Sequence, residues 1–76
     1  MGNADKQLVI ARQLEEDAEY EHAAEYYIKA GAEYEEKKKV KKALYAYLDA
    51  KRCFNEISNT TEVDKLEQLI AALKAK

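Results

Sequence analysis

Proline is absent and only two glycines occur in 76 residues, so the sequence has almost none of the punctuation that tight turns and sheet bends need. The β-branched runs of a sheet are missing too, while Ala, Leu, Glu and Lys abound, and the fold class read from this is all-α. A single cysteine, Cys53, excludes an internal disulfide and any zinc site built on paired cysteines. With one histidine, His22, and so few glycines, neither a His-rich metal centre nor a phosphate-cradling loop can be assembled from one chain. Uncharged apolar stretches such as Leu69 to Leu73 are far shorter than the roughly 20 residues that span a bilayer. No basic-then-apolar leader opens the chain, and Met1-Gly2 starts like a myristoylation signal but has Lys6 where Ser or Thr is wanted. Asn59-Thr60-Thr61 matches a glycosylation sequon but reads as a turn. These absences lead to the expectation of a soluble, cytoplasmic protein with no membrane insertion. A chain this short buries only about 60% of its unfolded surface and forms one domain, residues 1–76.

What is present is a periodic arrangement of tyrosine and alanine. In Tyr20-x-x-Ala23-x-x-x-Tyr27-x-x-Ala30, steps of three and four put large and small residues on one helical face. The same order returns twenty residues later as Val40, Ala43, Tyr47 and Ala50, an internal repeat of the kind that builds stacked helices. Charge is asymmetric as well. Residues 1–36 hold three basic and ten acidic side chains, a net −7, and residues 37–76 hold ten and five, a net +5.

Taken in order, the pattern predicts four helices, at about 4–16, 20–37, 39–57 and 61–75, forming a small antiparallel bundle of two helical hairpins. Asn3 is a good N-cap for the first, whose apolar stripe is Leu8, Ala11, Leu14 and Ala18 with Ile10 at its edge. A turn near Asp17-Ala18 would let Asp17 cap the second. Between helices two and three no Gly, Pro or Asn marks a boundary, yet the aromatic series shifts register by one residue and Lys37, Lys38 and Lys39 stand where a continuous stripe needs apolar side chains. A break near Lys38 follows, with one long helix as the alternative. Helix three directs Val40, Ala43, Leu44, Tyr47, Ala50, Phe54 and Ile57 inward. At Ser58-Asn59-Thr60-Thr61, Asn59 suits a left-handed C-cap and Thr61 with Asp64 resembles a capping box. Helix four presents Val63, Leu66, Leu69, Ile70 and Leu73.

The Tyr20 to Ala30 pattern resembles the second helix of a tetratricopeptide repeat (TPR), and Ile10, Ala11 and Leu14 fall where that repeat has its Leu, small and aromatic residues. The usual tryptophan is Gln7 and the usual turn glycine is Ala18. The second half does not return at the family's 34-residue period. Hairpins of about 40 residues fit better, which resembles the soluble NSF-attachment (SNAP) type of TPR-like protein. The microtubule-interacting and trafficking (MIT) domain is similar too, but its longer third helix conflicts with the break at Asn59. The resemblance implies a non-enzymatic protein–protein interaction module, or adaptor, that binds a peptide, a helix or another copy of itself. An MIT-like trafficking adaptor, or a designed or structural scaffold with no ligand, is the alternative. It also places Leu8 and Arg12 where TPR clamps hold a peptide carboxylate, so a free C-terminal peptide is not the expected ligand.

Candidate chemistry is sparse. Glu19-x-x-His22 has the spacing used in di-iron bundles, but the other ligands are missing, so neither a metal nor a cofactor is expected. The carboxylates from Glu15 to Glu25 read as a solvated face rather than an acid–base pair, and no nucleophile set can be built. Lys37-Lys-Lys-Val-Lys-Lys42 could meet nucleic acid, but the acidic flanks and a pI near 5.4 argue against it, and no nucleic acid partner is expected. The partner-binding candidates are Val9, Arg12, Tyr45 and Arg52, which lie off the core stripes yet are of types enriched at interfaces.

Overall fold

In a computed structural model, residues 3–76 are described; Met1 and Gly2, the start of the myristoylation-like stretch, lie outside the described residues. The chain forms α1 (Asn3–Glu16), α2 (Tyr20–Glu36), α3 (Val40–Glu56) and α4 (Thr60–Lys74). Each helix packs against the next in an antiparallel, all-α bundle whose Cα atoms span 31 × 29 × 12 Å, with no strand among the described residues. No described helix is long and apolar enough to cross a membrane.

The three connections are copies of one another. Ala18, Lys38 and Ser58, spaced by twenty residues, are left-handed at φ 63°, 63° and 57°. Around each, one amide reaches back three residues and the next reaches back five: Ala18 N donates to Glu15 O at 2.9 Å and Glu19 N to Leu14 O at 2.8 Å. Lys38 and Lys39 repeat this on Glu35 and Tyr34, as do Ser58 and Asn59 on Asn55 and Phe54. This is the Schellman closure, which satisfies the orphan carbonyls at a helix end and usually has glycine in the left-handed position. Without glycine each turn carries a steric cost on the order of 1 kcal/mol. The break at Lys38 is therefore real, and α2 and α3 are separate helices.

The caps differ from the sequence expectation. Glu19, not Asp17, is the N-cap of α2, and its side chain makes no capping bond. Ala18 is exposed in the turn rather than part of the core stripe, because the left-handed residue points away from the bundle. Ser58 takes the left-handed place, and Asn59 is instead the N-cap of α4, its Oδ1 accepting from Glu62 N at 3.3 Å. Thr61 already lies inside α4, so it forms no capping box with Asp64.

Small residues let the helices approach. Ala11, Ala23, Ala24, Ala30, Ala43 and Ala50 are wholly buried, and Tyr27, Tyr34, Tyr47 and Phe54 fill the space between them. At Gly31 a Cβ would stand 2.7 Å from Tyr47 Cε1, so the ring rests directly on the α2 backbone. Three ring hydroxyls end on carboxylates of the preceding helix: Tyr27 donates to Glu15 at 2.8 Å, Tyr47 to Glu35 at 3.0 Å and Tyr34 to Asp5 at 2.7 Å. The first two again repeat at twenty residues. In α4 the predicted Val63, Leu66, Ile70 and Leu73 are buried and Leu69 is half-buried, while Lys51 pairs with Glu67 at 3.4 Å. The stripe assigned to α3 changes at three residues: Ala46 and Cys53 are buried, and Ile57 is exposed.

Candidate interaction groove

A groove of about 190 Å³ runs between α1 and α3 and is lined by Leu8, Arg12, Tyr34, Lys42, Tyr45, Ala46 and Asp49. Its construction follows from helical spacing. Leu8 and Arg12 are one turn apart on α1, and Lys42, Tyr45 and Asp49 share a face of α3 at steps of three and four. Tyr34 rises from α2 with its hydroxyl held by Asp5. That bond, with burial and the Asp5 charge, pushes the Tyr34 phenol up to about 12. The same bond, aided by the charges of Lys42, Lys39 and Lys37 and against the effect of burial, lowers the Asp5 carboxyl. Lys42 Nζ stands 5.6 Å from the centre of the Tyr34 ring, within cation–π reach.

One end of the groove is tied by Arg52. Its guanidinium contacts both Glu15 oxygens through Nη2, at 2.8 and 2.7 Å, and Asp49 Oδ1 through Nη1 at 2.6 Å, so a side chain of α3 holds α1. Tyr27 donates to the same Glu15 carboxylate. Burial alone would raise the Glu15 pKa, but the hydrogen bonds from Arg52 and Tyr27 outweigh it and the carboxyl is held below its usual range. A more open depression of about 380 Å³, lined by Arg12, Glu15, Glu16 and Tyr20, adjoins the groove through Arg12.

The antiparallel path also biases charge by end. The lysines of 37–42 lie at the same end as Lys6 in the first turn of α1 and Lys74 and Lys76 at the close of α4, together with the fewer carboxylates Asp5, Glu33, Glu35 and Glu36. Glu15, Glu16, Asp17, Glu19, Glu21, Glu56, Glu62 and Asp64 belong to the opposite end, which also holds Lys65.

Of the four candidates read from sequence, the groove brings together Arg12 and Tyr45, and Tyr45 is 66% exposed. Val9 is exposed at 64% on α1 but does not line the groove. Arg52 is consumed by its two carboxylates and acts as a strut between α1 and α3. Lys42 stands out in the sequence only as the end of the lysine run and Asp49 not at all, although their spacing from Tyr45 was the available signal. Leu8, assigned to the core, is a half-buried groove wall. His22 is exposed in the first turn of α2, with Nδ1 3.4 Å from Glu19. The sequence matches no family model, and neither a curated protein nor a solved structure gives a significant match.

Proposed function

We propose that this chain is a non-enzymatic protein–protein interaction module of TPR-like helical hairpins that receives a peptide or helix in the α1–α3 groove. One observation carries the reading: Arg12 and Tyr45, from helices far apart in sequence, line one surface concavity. Tyr45 leaves a large ring in solvent, and aromatic and arginine side chains dominate interface hot spots. At about 190 Å³ the groove is smaller than the roughly 300 to 1,000 Å³ typical of small-molecule sites, and it suits one or two anchoring side chains.

The test is selection of peptides from a random linear library on the immobilised chain, followed by titration of the selected peptides. Tyr45→Ala and Arg12→Ala should each weaken binding by about 1 to 2 kcal/mol with helicity and melting temperature nearly unchanged. Unaltered affinity in both variants would put the site elsewhere, and a melting temperature several degrees lower would make Tyr45 a packing residue. Light scattering over a concentration series addresses self-association: a dimer that Tyr45→Ala dissociates would make the occupant a second copy.

A further inference from the structure

We infer that the segment this groove receives is acidic, with an apolar side chain seated between Leu8 and Tyr45 and carboxylates running past Arg12 and Lys42 toward the lysine turn at 37–39. This rests on the interaction reading and adds the partner's chemistry and direction. The groove holds two cations and one anion, and the anion is engaged: Asp49 binds Arg52 at 2.6 Å, sharing it with Glu15. Asp5, at the edge, is engaged by the Tyr34 hydroxyl. Arg12 and Lys42 have no ion-pair partner among the described residues. Arg12 and Lys42 thus flank an exposed ring as the two cations of the groove that no ion pair occupies, and they are free to meet a ligand's carboxylates.

The lysine run supplies the second, independent observation. Lys42 belongs to the first turn of α3, so the groove opens toward the turn of Lys37, Lys38 and Lys39 and toward Lys41; of these four, only Lys37 forms an ion pair among the described residues, with Glu33 at 3.5 Å. The depression that adjoins its other end carries two carboxylates, Glu15 and Glu16, beside Arg12 and Tyr20. A bound segment lying along this gradient is oriented by it, with its acidic end over the lysine turn. Complementary charge of this kind sets direction and association rate, and salt weakens it. A nucleic acid strand fits less well, because its continuous phosphate backbone would also have to pass Glu15 and Glu16 in the adjoining depression, whereas a peptide can keep its carboxylates to one side.

The composition of the library-selected peptides is the experiment. Aspartate and glutamate should be enriched on one side of an apolar or aromatic residue. The double reversal Arg12→Glu with Lys42→Glu should lower affinity about tenfold or more at unchanged helicity, and added salt should lower it for the parent chain. A spin label on the peptide's acidic end should broaden the amide signals of residues 37–42 rather than 15–19. Neutral or basic peptides that still respond to Tyr45→Ala would overturn this inference and leave the interaction reading standing. Peptides that ignore Tyr45→Ala and Arg12→Ala, or a library that yields none, would overturn both. Displacement of the peptides by a single-stranded oligonucleotide, or broadening at residues 15–19, would also overturn the inference.

Discussion

The seam between α2 and α3 and the seam between α3 and α4 follow the same backbone turn but are filled by different chemistry. In the first, Gly31 seats the Tyr47 ring, and the hydroxyl is anchored on Glu35. Twenty residues on, the corresponding pair is Lys51 with Glu67, an ion pair whose side chains keep 29% and 54% of their exposure, and burial falls to aliphatic residues such as Leu66 and Ile70. The Schellman turn is thus sufficient to place the next helix, and side-chain identity decides how the seam is held. An aromatic on a small-residue seat combines burial with a directed hydrogen bond. A surface ion pair nets only about 0 to 1 kcal/mol, so the α4 seam depends on its aliphatic stripe.

The largest test of this contrast is truncation of the matched residues. Tyr47→Ala should cost about 3 to 5 kcal/mol in denaturant unfolding, whereas Glu67→Ala should cost less than about 1 kcal/mol. Equal losses would erase the distinction. Next comes the seat itself: Gly31→Ala gains up to about 1 kcal/mol of helix propensity but pushes a methyl into a ring pinned at its far end, with an overpacking cost of about 1 to 3 kcal/mol. A net loss of stability is expected, and a gain would mean that Tyr47 can move away.

Alkaline titration separates the seams further, because α4 has no tyrosine. Burial and the carboxylate bonds raise the pKa of Tyr27 and Tyr47, and the Asp5 bond raises Tyr34 to about 12. A phenol whose folded value exceeds its unfolded value of about 10 stabilises the fold fully below pH 10, and that contribution is lost as pH rises through the folded value. Ultraviolet titration should show late-ionising phenols together with loss of helicity, and Tyr34→Phe should remove the component near 12. The smallest effect is at the turns. Lys38→Gly should stabilise by about 0.5 to 1 kcal/mol by relieving the left-handed strain, and Ala18→Gly by a similar amount. Unequal increments would show that the turns are not equivalent.

Much of the fold was legible in the residues. The twenty-residue return of Ala23, Tyr27 and Ala30 in Ala43, Tyr47 and Ala50 announced stacked helices, and the register shift before Val40 located the break at Lys38 without any glycine to mark it. The caps were misplaced because Asp17, Ser58 and Asn59 are all competent for capping, and only the backbone path selects which residue turns left-handed. Cys53 and Ala46 lie off the stripe drawn through Val40, Ala43, Tyr47, Ala50 and Phe54 and are buried all the same, because α3 packs against two other helices, α2 and α4, and so buries a wider face than one stripe. In the groove, Tyr45 and Arg12 stood out by residue type, whereas Lys42 and Asp49 resembled ordinary solvated charges.

The sequence by itself determined the helix count, the faces each helix buries and the charge difference between the two halves, because these follow from local periodicity and composition. The tertiary structure alone decided what becomes of the polar residues. Arg52 and Tyr45 share a face of α3, yet Arg52 is spent on Glu15, 37 residues away, while Tyr45 remains exposed. A side chain's spare hydrogen-bonding capacity depends on what the fold brings within about 3 Å, a distance that sequence separation does not encode.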